Sequence, residues 1–265
     1  MKFSLQNKWV LITGASSGFG AAAATAFAAE GAKLLLGARR IERLKHVSAA
    51  AKKAGAAEVH FHKLDVSQTA SVGKFFGWAK KIMGSRQPAA GNLHVLINNA
   101  GGALGVDTVD EGKDADWETM LQTNVLGVLR VTRAALPLIP RDDGASIINI
   151  GSLAARAAYA GASAYCAAKA GELQLTRVLR QELFGAGIRV STVDPGLAET
   201  EFSLVRFKGD AKKAKELYAG TNPLVATDIA EILVWVASRP PHVNIDEMLV
   251  KPVDQADVGK VFRRK

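Results

Sequence analysis

The chain has 265 residues, 48% of them hydrophobic and 22% charged, which is enough apolar content for one large self-sufficient core or two small ones. A single cysteine, Cys166, excludes an intramolecular disulfide, and no apolar run approaches the ~18 residues of a membrane span, so a cytoplasmic protein is expected. The formal charge of +9 comes from scattered lysines and arginines without zinc-finger spacing or aromatic interleaving, so an anionic small molecule is the expected partner, rather than nucleic acid or membrane.

The N-terminus, MKFSLQNKWVLITGASSG, reads as a first strand (8–13) and not as a signal peptide, because polar residues interrupt it and glycine ends it. It runs into Gly14-Ala-Ser16-Ser17-Gly18-Phe19-Gly20 and an alanine-rich helix near 18–30. Glycines at that spacing let a phosphate approach backbone N–H groups at a helix start. The second strand (33–37) ends at Arg39-Arg40, where dinucleotide sites usually carry an acid. Two guanidinium groups there, with a hydroxyl from Ser16 or Ser17, suit a 2′-phosphate and favour NADP(H) over NAD(H). A helix near 39–54 follows, then a strand (58–64) ending at Asp65 and Val66. Asp65 can accept from an adenine amino group or cap the next helix, 68–83.

A Gly/Pro-rich loop, 84–92, precedes the fourth strand (93–98), which ends in Asn98-Asn99-Ala100-Gly101. A long helix (114–138), the strand 146–150 and Ser152 lead to a second long helix (162–185), on which Tyr165 and Lys169 share a face. Cys166 diverges from that face by about 100° and is not expected to address the same ligand. His60 and His62 alternate on a strand without a third ligand, so no metal is expected. The strand 188–193 is followed by an irregular stretch, 196–223, in the place of a lid over a ligand. A helix (226–238), a strand (247–250) and a basic tail, about 254–265, complete the chain, and the tail is expected to fray. Strand and helix alternate throughout and the strands show no clean polar face. One doubly wound α/β domain is expected, with helices on both faces of a parallel sheet.

The joint pattern TGxxxGxG, NNAG, a serine thirteen residues before the tyrosine, and Y-x-x-x-K resembles the short-chain dehydrogenase/reductase family over nearly the whole chain. The resemblance implies a Rossmann-like sheet of about seven parallel strands. It implies Tyr165 as general acid/base, Ser152 as the hydroxyl polarising the substrate oxygen, and Lys169 as the partner of the nicotinamide ribose that also favours the phenolate. Asn124 would support the lysine, and Asn98, Ala100, Gly101, Pro195, Gly196 and Thr200 would lie against the cofactor. The two long helices are those that the family uses for homotetramers.

Within the family, the segments DWETM, INIGS, PGLAETEFS, VRFKGD and PHVNI are similar to the NADP-dependent 3-hydroxy acid dehydrogenases, including serine 3-dehydrogenases and malonic semialdehyde reductases. That implies small 3-hydroxy or 3-oxo acids as substrates. A carboxylate closed off from water needs a cation, and Arg206 and Lys208 are the candidates. Arg206 is preferred because a guanidinium binds a carboxylate through two bonds. The rival expectations are a reductase of neutral ketones or 3-oxoacyl thioesters, and a non-catalytic NADPH sensor on the same fold.

Overall fold

The computed structural model describes residues 2–84, 93–141 and 144–264. Seven of the apolar runs become strands. They are β1 (Trp9–Thr13), β2 (Lys33–Ala38), β3 (Glu58–Lys63), β4 (Leu93–Asn98), β5 (Ser146–Ile150), β6 (Arg189–Pro195) and β7 (Glu247–Val250). They form one parallel sheet in the order β3-β2-β1-β4-β5-β6-β7. Helices fill the crossovers: α1 (Gly18–Ala29), α2 (Ile41–Ala54), α3 (Thr69–Met83), α4 (Asp114–Asn124), α5 (Leu126–Ala135) and α6 (Ser163–Glu182). The short α7 (Glu201–Arg206) and α8 (Ala211–Glu216) precede α9 (Ala226–Ala237), and the antiparallel pair β8 (Gln255–Asp257) and β9 (Lys260–Val261) lies near the C-terminus.

The unbroken apolar runs are explained by burial on both faces. Val10 and Ile12 of β1 enter a core closed by α1, α2 and α9 through residues such as Phe27, Leu44 and Leu233. Their neighbours Trp9 and Leu11 enter the opposite core, with Phe75 of α3, Val131 of α5 and Leu179 of α6. No helix among the described residues is long and apolar enough to cross a membrane.

Three expectations needed correction or fall outside the described residues. The helix expected over 114–138 breaks at Val125 into α4 and α5, and ends in a 3₁₀ turn, Leu136–Leu138. The Asn124 amide donates to the Met120 carbonyl at 2.8 Å and so competes with the helical ladder. The tail does not fray. Arg264 pairs with the buried Asp254, Arg263 donates to the Ala219 and Leu217 carbonyls, and the Gln255 side chain accepts from Leu197 N–H at 2.7 Å. Arg264 is thus paired within the tail itself, and Arg263 ties the tail to the segment that follows α8. The loop at 84–92 lies, beyond Gly84, outside the described residues.

Candidate active site

The strand order reverses between β1 and β4, and the carboxyl ends of these two strands open a crevice. Thr13 Oγ1 pins them together: it accepts from the Asn99 and Ala100 N–H groups, each at 3.0 Å. Asn99 answers through its amide, which donates to the Thr13 carbonyl at 2.9 Å and the Gly14 carbonyl at 3.2 Å. Gly14 has φ of +64°, and a Cβ there would stand 2.9 Å from Ala100 Cα, so both conformation and space require glycine.

A cleft of about 430 Å³ extends from this crevice. Gly14, Ser16, Ser17, Gly18 and Phe19 form one wall, with Arg39, Arg40, Asp65 and Val66 beyond them. Ala100 and Gly101 form its floor. Ser152, Tyr165 and Lys169 face it from the β5 end, and Pro195, Gly196, Thr200 and Arg206 face it from the far side. Three expected residues are not in its walls. Gly20 packs behind the glycine loop, where a Cβ would meet Asn99 Nδ2 at 2.5 Å. Asn98 turns into the protein, its amide donating to Thr132 Oγ1 at 3.0 Å and Asn149 Oδ1 at 2.8 Å, so its neighbour Asn99 is the residue that borders the cleft. Asn124 lies one layer back. It accepts from Gly102 N–H at 3.0 Å and donates to the Gly102 carbonyl at 2.9 Å. A Cβ on Gly101 would stand 2.6 Å from Asn124 Oδ1 and 3.7 Å from Lys169 Nζ, so a bare glycine lets the asparagine approach the lysine.

Arg40 donates to Ser17 Oγ at 2.7 Å, to Ser16 Oγ at 3.3 Å and to Glu201 at the start of α7 at 2.7 Å. Arg43 holds the other Glu201 oxygen at 2.5 Å. Hydrogen bonds from Arg40 and Arg43 hold the Glu201 carboxyl down to about 2, so it stays ionised at neutral pH. Asp65 accepts from the Ser67 N–H and hydroxyl with one oxygen, a local turn at the cleft edge.

Ser152 caps a short 3₁₀ turn (Leu153–Ala155), its Oγ accepting from Ala154 N–H at 3.1 Å. Tyr165, in the first turn of α6, is buried against Phe202, with 5.6 Å between ring centroids. Lys169, one turn on, donates to the Ile150 carbonyl at 2.7 Å and to Glu172 at 2.6 Å.

Arg206 and Lys208 separate clearly. Lys208 pairs with Asp116 of α4 at 2.8 Å and does not line the cleft. The Arg206 side chain enters it at only 9% exposure. The guanidinium donates to Tyr159 Oη at 2.8 Å, sits 5.4 Å from the Tyr159 ring and 6.0 Å from the Tyr165 ring, and lies near the Gly105 carbonyl. No carboxylate among the described residues pairs with it. Tyr159, Glu172 and Glu201 were not singled out from the sequence as site residues, whereas Asn99 fell within the segment from Asn98 to Gly101 expected against the cofactor. Glu172 alone had a usable signal, since Tyr165, Lys169 and Glu172 fall at i, i+4 and i+7 on one helix face.

A doubly wound parallel sheet with a glycine loop at its switch point, faced by a serine, a tyrosine and a lysine, defines a dinucleotide-dependent oxidoreductase. The short chain dehydrogenase family model matches residues 8–210, and this chain belongs to that family. An NADP-dependent 3-hydroxy acid dehydrogenase of Schizosaccharomyces pombe is 40% identical, the match covering 98% of each chain. A sulfoacetaldehyde reductase of Chromohalobacter salexigens is 42% identical, over 93% of this chain and 94% of its own. Among solved structures, the closed form of serine dehydrogenase complexed with NADP+ superposes with a TM-score of 0.83 at 37% identity, covering 97% of this chain and 100% of that one.

Proposed function

We propose that this protein transfers a hydride between NADP(H) and a small 3-hydroxy acid or its 3-oxo counterpart, of the L-serine, L-allo-threonine and 3-hydroxypropionate class. The observation that carries the substrate class is Arg206: a nearly buried guanidinium beside Tyr165 that lacks a carboxylate of its own. Burying such a charge is costly, and a bound acid would supply the missing anion. The relatives named for 3-hydroxy acids and for sulfoacetaldehyde both handle small acidic compounds, in keeping with a cation at that place.

The cofactor fits the residues present. The positive-φ Gly14 leaves the loop open to phosphate, and the rim opposite carries Arg39, Arg40, Ser16 and Ser17 with no acid at the end of β2, so that a 2′-phosphate would take the place on Arg40 that Glu201 holds. When bound, the nicotinamide supplies the hydride donor for reduction and the acceptor for oxidation. The chain's own part is proton transfer and orientation. Tyr165 Oη gives a proton to the carbonyl oxygen in reduction and takes it back in oxidation. Ser152 Oγ donates a hydrogen bond to that same oxygen. The Lys169 ammonium favours the phenolate and anchors the ribose. Asn124 supports Lys169 from behind Gly101, while Asp65, Val66, Pro195, Gly196 and Thr200 border the cofactor. Residues 196–223, carrying α7 and α8, act as the lid, and the tail that packs on them gives the lid its base. The protein works in the cytoplasm as a homotetramer built on α4, α5 and α6, whose surfaces expose Leu121 and Val178. Light scattering of the purified chain reads the assembly directly.

The test of the function is NADPH formation with L-serine, L-allo-threonine, 3-hydroxypropionate and 2-hydroxyethanesulfonate, run beside simple secondary alcohols and with NAD replacing NADP. Turnover confined to the acids is expected. Turnover of the neutral alcohols would sink the acid assignment, and activity only on ketones or 3-oxoacyl thioesters with NADPH would establish the runner-up. For the cofactor, Arg40→Ala is expected to weaken NADPH binding by about 10–100-fold, the loss of a charge-assisted hydrogen bond worth ~1.5–3 kcal/mol, with little change for NADH. Fluorescence titration of both cofactors checks it, and equal losses for the two would place the 2′-phosphate elsewhere.

A further inference from the structure

Behind Lys169 stands a carboxyl group that the mechanism above leaves without a task. Glu172 is 1% exposed and does not line the cleft. One of its oxygens takes the Lys169 ammonium at 2.6 Å, and the other, Oε1, has no hydrogen-bond partner among the described residues. Stability does not explain this arrangement. A buried ion pair with half of the carboxylate's capacity unmet is worth no more than an apolar side chain of the same volume, and often less.

We propose that Glu172 is a positioning residue for the reaction, holding the Lys169 ammonium from the protein side and offsetting its charge. The inference rests on the roles proposed above for Tyr165 and Lys169. Lys169 is thereby gripped at two points, the Ile150 carbonyl of β5 and Glu172 on its own helix, which leaves its remaining donor for the cleft. The other groups facing the pair are few. Tyr165 lies on α6, Asp194 on β6, and the neutral Asn124 approaches across Gly101 at the end of α4. Asp194 is itself held by Arg156, from the turn after β5, and by the Thr192 hydroxyl. Thr176 spends its hydroxyl proton on the Glu172 main chain.

Burial pushes the Glu172 carboxyl up to about 7, against the pull of Lys169. Burial also acts to lower Lys169, but the Glu172 and Tyr165 charges prevail and it stays protonated. Near neutrality, therefore, the lysine's charge is opposed in proportion to how far Glu172 has ionised. Deprotonated Glu172 withdraws part of the support that Lys169 gives to a phenolate, and protonated Glu172 restores it. A stability effect follows with a definite sign. A carboxyl whose folded value lies above its ordinary 4.5 stabilises the fold below that value and loses the contribution as pH rises through about 7.

The experiment compares wild type, Glu172→Gln and Glu172→Met in two readouts. The first is the pH profile of kcat/KM in alcohol oxidation. Both variants are expected to move its rising limb down by about 0.5–1 pH unit, because the anion that opposes the Lys169 charge has been removed. The KM for NADP is expected to rise several-fold as Lys169 loses an anchor, more so in Glu172→Met than in Glu172→Gln. The second readout is Tm of the cofactor-free protein from pH 5 to 8. Wild type should lose stability relative to Glu172→Gln across this window, by on the order of 5 °C. Limbs that superimpose on wild type, with NADP affinity unchanged, would overturn the proposal and leave Glu172 a structural residue. Wild type that turns over none of the substrates would instead overturn the functional reading on which it stands.

Discussion

Tyr165→Phe is expected to lower kcat by about 10²–10⁴-fold, the usual range for removing a positioned general acid/base, while leaving NADPH affinity and thermal stability close to wild type. The reason lies in how the ring is held. Tyr165 is buried, its ring packs on Phe202, and the Arg206 guanidinium lies 6.0 Å from its centroid. Phenylalanine keeps all of these contacts and removes one oxygen. Ser152 does not replace it: its Oγ accepts from Ala154 N–H and its own proton hydrogen-bonds the substrate oxygen, but an aliphatic alcohol is a far weaker acid than a phenol. Stopped-flow measurement of hydride transfer, with cofactor fluorescence and Tm measured on the same protein, separates the chemical loss from a binding or folding loss. A kcat within tenfold of wild type would remove Tyr165 from the proton-transfer step.

Arg206→Ala is expected to raise KM for the acid substrates by about 10–100-fold, the equivalent of a charge-assisted hydrogen bond of ~1.5–3 kcal/mol, and to leave turnover of neutral alcohols at its low starting level. Stability should not suffer in proportion. The guanidinium has no carboxylate partner to orphan, and its removal relieves a buried cation. Tyr159 then loses a donor at 2.8 Å, but its hydroxyl faces the cleft and can be solvated. Arg206→Lys should restore part of the affinity, since it keeps the charge but loses the two-bond geometry. Steady-state kinetics with 3-hydroxypropionate, and with an alcohol of the same length lacking the carboxylate, give the discriminating ratio. An equal rise in KM for both would mean that Arg206 shapes the lid and does not read the acid.

Most of the architecture was legible before any coordinates. The seven strand starts were placed to within a residue, since an apolar run bounded by glycine or charge leaves little choice of register. The helices fell close to their expected bounds for the same reason. The exception is instructive. Nothing in the pattern around Asn124 signals a break, because the break arises when its amide turns back onto Met120 and its carbonyl oxygen reaches Gly102, twenty-two residues away. The tail failed in the same manner. Arg263 and Arg264 look like solvated charges until the carbonyls of residues 217–220 and the carboxylate of Asp254 are brought beside them.

The site divides along the same line. The glycine loop, Ser152, Tyr165 and Lys169 could be read from the chain because their meaning is local. A turn needs glycine, four residues make one helical turn, and strand ends of a doubly wound sheet converge on one edge. The family, and the roles expected of these residues, came from the resemblance that the joint motifs carry. Which charges are free was decided only by the tertiary structure. Arg206 and Lys208 lie two residues apart and look equivalent in sequence, yet Lys208 is neutralised by Asp116 while Arg206 is carried into the cleft beside the main chain of Gly105, 101 residues earlier. Arg40 meets Glu201 across 161 residues. An ionisable side chain acts through the company it keeps, and pairings across such separations exist only once the sheet has closed.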